Sequence, residues 1–367
     1  MAKTITIVCD PLLSEYGPTR PPVLLSKDLR RRGYAVHLVS VLVNENVKRT
    51  LESRGIEVST TSGMSPFKSE SLTWFYFWLR EGFLSENSKK LRRLGIRTNG
   101  TVLNFSNTII HPCHAWYAQG PPTVLIANTK DQLTPSYKAA YFLSSQILRR
   151  TDRRMTRKFS RQSRLVFANS KYLATVYERW NTKVHGVIYP PVDCQTFKPT
   201  TDVPRGDYAV AYFGKETDFG VIQKALDNGI KIKAFGGKIE TAPRRLLKHS
   251  NLEHLGRISD PELIELYSNA LFTLFPFTDE PFGYIPVESM ACGTPVITLG
   301  KQGPGETVVN GATGWLAHDQ REMVELASKI WREKYPERIR EACRKRSLTY
   351  DISFIGEQWL KIIENVQ

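Results

Sequence analysis

Two glutamates, Glu280 and Glu288, stand with seven residues between them in the stretch DEPFGYIPVESMACGTPVITLG, residues 279–300. Pro286 fits the first turn of a helix, where its missing N–H would find no partner anyway. Gly293 fits the position just past a helix end, and Val296 and Ile297 follow as a buried strand. The spacing predicts a short helix over about 286–292, with Glu288 in its first turn and Glu280 in the loop leading in. A helix N-terminus offers unpaired N–H groups and a partial positive charge, which suits a phosphate. A carboxylate beside it can accept both hydroxyls of a vicinal diol such as a ribose. A second carboxylate on the approach loop can hold sugar hydroxyls. Together these groups describe a pocket for a nucleotide joined to a sugar through a diphosphate. An acid in a first helical turn also arises simply because it favours the helix dipole, so the spacing alone leaves both readings open.

Metal chemistry finds little support. No Asp-x-Asp occurs in the chain, and Cys9, Cys113, Cys194, Cys292 and Cys343 form no CxxC pair. No metal site and no cofactor are therefore expected, and a leaving diphosphate would rely on helix dipole, backbone N–H, lysine and arginine. The odd, scattered cysteines suit reduced thiols in a cytoplasm.

Elements that would position such a pocket alternate along the chain. The run TITIVC (4–9), the turn-rich PLLSEYGPTRPP, the helical VLLSKDLRRRG and the run AVHLVSVLV form a β–loop–α–β unit. The second half repeats that grammar in YAVAYFG (208–214), IKIKAFGG (230–237), LEHLG (252–256), ALFTLFPF (270–277) and PVITLG (295–300). This is an α/β pattern, with sites expected at the carboxyl ends of parallel strands. The proline-rich stretch 189–207 reads as a linker. Two Rossmann-like domains follow, 1–195 and 205–345, with a helical segment over 346–367 carrying Phe354, Trp359, Ile362 and Ile363.

A length of 367 residues suits two cores, and no run reaches the roughly 18 apolar residues of a membrane span. The net charge of +15 is unevenly placed: residues 1–200 balance to +17 and residues 201–367 to −2. One basic half beside a neutral one predicts a domain that faces something anionic.

Several ordered motifs carry a resemblance. EPFGYIPVESMACGTPVI is followed by GPGETVVNGATGWL (303–316), and LGRISDPELIELYSNALFTLFPF (255–277), VFANSKYLATVY (166–177) and IYPPVDCQTFKP (188–199) accompany them. Together they resemble glycosyltransferase family four, retaining enzymes that use nucleotide sugars and have the GT-B fold. About half the chain is covered. The resemblance implies two Rossmann-like domains facing each other across a cleft, with the C-terminal helix returning towards the first. It implies that Glu280 lies against the donor sugar, that Glu288 binds the ribose, and that backbone N–H groups around Phe282, Gly283 and Tyr284 face sugar and diphosphate. Gly17, after the first strand, would let backbone approach the diphosphate. The sequence departs from the family at YFGKETDFGVIQ, where Lys215 replaces an arginine and Phe219 stands near an expected lysine. Arg20 or Arg257 would have to compensate. The family's histidine at a first-domain strand end has two alignments here: Gln119 if WYAQGPP ends the strand, His114 or His111 if the strand lies earlier.

The implied reaction is hexosyl transfer from a UDP- or GDP-sugar to a glycan acceptor. The acceptor is argued from the basic half. Arg149, Arg150, Arg153, Arg154, Arg157, Lys158, Arg161 and Arg164 fall at helical spacing as one cationic stripe. Five aromatics, Trp74 to Trp78, precede a basic cluster from Lys89 to Arg93. Aromatic and basic groups together suit a membrane interface. The expectation is a cytoplasmic enzyme, peripheral on the cytoplasmic face of a membrane and using a lipid-linked acceptor. The alternative is a soluble transferase with a small sugar or glycan acceptor. A nucleic-acid partner would leave the glutamate pair unexplained.

Overall fold

β-Branched and aliphatic runs become the strands of two parallel sheets. The computed structural model describes residues 3–14, 17–60, 67, 70–84, 100–129, 135–202, 204–237 and 242–366. The first sheet holds β1 (Thr4–Cys9), β2 (Ala35–Ser40), β3 (Glu57–Thr60), β4 (Thr101–Asn104), β5 (Cys113–Ala118), β6 (Ser163–Ala168) and β7 (Gly186–Val187) in the order β3-β2-β1-β4-β5-β6-β7. The second holds β8 (Ala209–Tyr212), β9 (Ile232–Phe235), β10 (Leu252–Gly256), β11 (Thr273–Phe275), β12 (Val296–Leu299) and β13 (Gly314–Ala317) in the order β10-β9-β8-β11-β12-β13. Every strand pairing within the two sheets is parallel. The strand order reverses between β1 and β4 in one sheet and between β8 and β11 in the other. Such switch points open a crevice at the carboxyl ends of the strands.

The chain divides into two units. The first comprises Met1–Val124, Ala140–Pro191 and Ile352–Gln367; the second comprises Leu125–Ala139 and Val192–Asp351. In the first unit, Ile5, Ile7 and Leu38 bury one sheet face under Leu25 and Leu29 of the helix Arg20–Arg31. The helix Ile352–Val366 completes that layer with Ile355, Trp359 and Ile363. Trp359 sits 5.0 Å from Phe105, 5.5 Å from Tyr117 and 5.9 Å from Phe167, ring centre to ring centre. Gly356 lets this helix meet the first one closely, since a Cβ there would lie 2.3 Å from Asp28 Oδ2. Arg32 ties the pair by bonding both Asp28 and Glu357. The segment expected over 346–367 is thus divided: the helix Arg338–Ser347 stays with the second unit.

Three expectations change. The helix Arg20–Arg31 takes in Pro21 and Pro22, which the sequence placed in a loop, because a first turn needs no N–H from them. The aromatic run lies in the helix Glu70–Leu84, but Phe77 and Trp78 are buried with Trp116 and Phe159 rather than presented to a membrane. The basic cluster Lys89–Arg93 lies outside the described residues. Seven members of the cationic stripe lie on the helix Pro135–Gln162, whereas Arg164 belongs to β6.

Candidate active site

The second unit's switch point is built by two loops that zip together. One follows β8 and the other follows β11. Thr217 and Phe277 form an antiparallel bridge, Asp218 N–H donates to Pro276 O at 3.1 Å, and Thr278 N–H donates to Glu216 O at 2.8 Å. This seam carries Lys215 and Glu216 from one strand end and Asp279 and Glu280 from the other.

Beyond the second loop, the helix Tyr284–Ala291 begins two residues earlier than the proline implied. Gly283 precedes it at φ 92°, and a Cβ there would crowd Pro286 and Pro304 at 3.2 Å. Glu288 therefore falls in the second turn, not the first, and is buried. Glu280 is the residue that meets the helix entrance: its Oε1 accepts from Gly283 N–H at 3.0 Å and Phe282 N–H at 3.3 Å. Two of the N–H groups expected to face a ligand are thus engaged by Glu280. The Phe282 ring is buried against Tyr284 and Tyr350.

Burial pushes the Glu280 carboxyl up to about 8, and the neighbouring Glu216 charge adds to it. The Tyr212 hydroxyl, at the end of β8, is raised by burial and then by Glu216, Glu280 and Glu288 together, while Arg257 opposes them. Tyr212 and Glu216 both crowd Gly214, where a Cβ would lie 2.3 Å from the Tyr212 ring and 2.7 Å from Glu216 Oε1. Arg257 follows β10 and lies over Gly237, where a Cβ would come within 2.8 Å of its Nε. Lys215 is exposed at the loop tip, and its charge lowers the Asp279 carboxyl against a larger rise from burial.

Asp279 and Gln302 were not singled out from sequence. Asp279 is buried, and its Oδ1 accepts from Asn128 Nδ2 at 2.6 Å and Gln302 Nε2 at 3.2 Å. Gln302 Oε1 accepts from Glu280 N–H at 2.6 Å. Only the position of Asp279 beside Glu280 and of Gln302 in a glycine-rich loop hinted at either.

In the first unit, β5 runs from Cys113 to Ala118. Gln119 follows the carboxyl end, and its Nε2 donates to Phe105 O at 2.8 Å and Pro18 O at 2.9 Å. It thereby ties the strand end to the turn Gly17–Thr19, where Gly17 has φ 62° and open space at its Cβ position. His114 is placed differently. It lies at the amino end of β5, its Nδ1 accepts from Val102 N–H at 3.0 Å, and burial lowers its pKa. His111 precedes the strand and bonds Pro112 O. Both rings are far along the strand from the end where Gln119 sits.

Among the described residues no group of three His, Cys, Asp or Glu side chains is arranged to hold a metal ion. Among them, too, no helix is long and apolar enough to cross a membrane. All five cysteines are buried free thiols.

Comparison with known proteins bears on this geometry. Residues 223–350 match the family described as Glycosyl transferases group 1. An uncharacterized glycosyltransferase of Methanocaldococcus jannaschii is 28% identical over 185 residues, 49% of this chain and 52% of that protein. The mouse alpha-1,3/1,6-mannosyltransferase ALG2 is 34% identical over 189 residues, 41% of this chain and 46% of that protein. The chain thus spans about half the length of these curated relatives. Anabaena HepE in complex with UDP-glucose superposes with a TM-score of 0.67 at 16% identity, covering 99% of this chain and 100% of that one. The second unit carries the group 1 glycosyltransferase match, and the chain has the two-sheet GT-B fold of the glycosyltransferases it superposes on.

Proposed function

We propose that the chain is a retaining hexosyltransferase that moves a sugar from a UDP- or GDP-sugar to a glycan acceptor. The observation that carries this reading is the seam that sets Lys215 and Glu216 beside Asp279 and Glu280 at the switch point, with Glu288 buried in the helix that follows and Arg257 just past β10. Arg257 and Lys215 would take the diphosphate, and Glu288 would take the ribose diol. Glu280, which retains its proton near neutrality, can both donate to and accept from sugar hydroxyls. In the transfer the anomeric carbon–oxygen bond to the diphosphate breaks and a bond to the acceptor oxygen forms on the same face. The acceptor hydroxyl proton passes to the departing diphosphate oxygen. The positive charge that develops on the sugar is stabilised by nearby carboxylate and by the leaving group itself. The test is a thermal-shift screen of UDP, GDP and their sugars, because a ligand that binds only the folded state raises Tm with occupancy. At least one nucleoside diphosphate is expected to raise Tm; no shift with any of them would refute the donor site.

A membrane-surface acceptor is supported by one further observation. At 100° per residue, Phe142, Leu143 and Ile147 share a helix face with Arg149, Arg150, Arg153, Arg154, Arg157 and Arg161. Phe142 and Leu143 are each 81% exposed and Ile147 57%, while Met155 and Phe159 bury the opposite face. An apolar patch continuous with a basic stripe fits a lipid-linked acceptor on an anionic bilayer, where each nearby Lys or Arg adds about 1 kcal/mol. Replacing Arg153, Arg157 and Arg161 by Glu should abolish sedimentation with anionic vesicles. Undiminished binding would leave the soluble-acceptor reading.

A further inference from the structure

Gln302 adopts φ 52°, a left-handed backbone that residues with a β-carbon rarely hold. Strain of this kind persists only where surrounding contacts over-determine it. Here the contacts come from the side chain itself. Glu280 N–H is a donor, so the amide oxygen must face it, as it does at 2.6 Å. That leaves the amide nitrogen for Asp279 Oδ1, which Asn128 also holds. An amide accepts on one side and donates on the other at every pH, whereas a glutamate does so only while it keeps its proton. An ionised glutamate would set a second carboxylate against Asp279.

The next residue continues the grip. Gly303 N–H donates to Glu280 O at 3.1 Å, and a Cβ at Gly303 would lie 2.3 Å from Phe282 Cα. Consecutive residues thus hold both backbone polar groups of Glu280, and the loop lies flush on the second of them. The charged groups that face the Glu280 carboxyl are Glu216 and Asp279, with the Phe282 and Gly283 N–H groups opposing them.

We propose that Gln302 is a positioning residue: its strained backbone and bridging amide fix the 279–283 loop, and with it the carboxyl of Glu280, in the orientation that meets the donor sugar. This rests on the donor-site reading above. Asp279, anchored by Asn128, sets which way the amide points.

The experiment compares wild type with Gln302→Gly and Gln302→Glu. Glycine accepts φ 52° freely but loses the amide. Its Tm should stay within about 2 °C of wild type, as relieved strain offsets two lost hydrogen bonds. Amide hydrogen exchange across 279–283 should speed up at least tenfold, and kcat should fall about tenfold with donor KM within about twofold. The limb of the kcat–pH profile set by Glu280 should move to lower pH as water reaches the loosened carboxyl. Gln302→Glu should lose at least as much kcat. Unchanged exchange in Gln302→Gly would overturn the proposal, as would a Tm and kcat that collapse together, which marks a merely structural residue. Exchange needs no donor. If wild type binds no nucleoside diphosphate, the donor reading fails on its own while exchange still decides whether Gln302 holds the loop.

Discussion

Replacing Glu280 with Gln should make the protein less active and, at alkaline pH, more stable. The folded-state pKa of about 8 stands above the usual 4.5. Between those values the folded protein keeps a proton that the unfolded chain releases, so stability falls as pH rises through this window. Above it the full cost stands. At about 1.4 kcal/mol per pKa unit the cost is at most about 5 kcal/mol. Solvent reaching this half-buried carboxyl reduces it to roughly 2–3 kcal/mol. Glutamine carries no charge, yet its oxygen still accepts from Gly283 and Phe282. The variant should therefore match wild type in urea midpoint near pH 4.5 and exceed it by that margin above about pH 8.5. Transfer should drop at least about tenfold at every pH, since the amide sets an NH2 group where the carboxyl offers its second oxygen to the sugar hydroxyls. A stability difference that does not change with pH would show that Glu280 is an ordinary ionised carboxylate. Wild-type transfer rates would remove it from the reaction.

Glu288→Ala should raise the donor KM with a smaller change in kcat; an unchanged KM would make Glu288 a buried structural acid only. Activity should persist in excess EDTA if, as proposed, Lys215 and Arg257 supply the positive charge at the diphosphate; complete, metal-reversible loss would contradict this. Trp359→Ala should destabilise the first unit by about 3–5 kcal/mol through the cavity it leaves among Phe105, Tyr117 and Phe167, measured by denaturant unfolding. A loss under about 1 kcal/mol would mean that the terminal helix contributes little to that core.

The second sheet was legible because buried strands such as PVITL read as short apolar runs, whereas in the first sheet only β1 and β2 were read and the part-exposed edge strands β3 and β7 were not. Glu280 lies in the loop leading into the helix, as the sequence implied, whereas Glu288 lies in its second turn rather than its first. Pro286 marked the helix entrance two residues late, because a proline is tolerated anywhere in a first turn and so fixes no single boundary. Gln302 was illegible for a different reason. Sequence patterns assign left-handed positions to glycine, and nothing local announces that a side-chain bridge to Asp279 and Glu280 will hold a glutamine there. The position of His114 was illegible because a ring nitrogen bonds a neighbouring strand as readily as a ligand, and only the strand bounds place it at the amino end of β5.

The helix that carries Trp359 also sets an order of events during synthesis. The first unit's sheet leaves the ribosome complete by about residue 191, yet one layer of its core is encoded beyond residue 351. At 5–20 residues per second that gap lasts roughly 8–35 s. Through that interval the faces of Phe105, Tyr117 and Phe167 that meet Trp359 have no cover, while the intervening 192–351 segment can already fold around its own sheet. The unit translated first is thus the unit finished last. A nascent chain stalled short of Trp359 would present an aromatic groove suited to chaperone capture, and the same chain extended past Ile363 would close it.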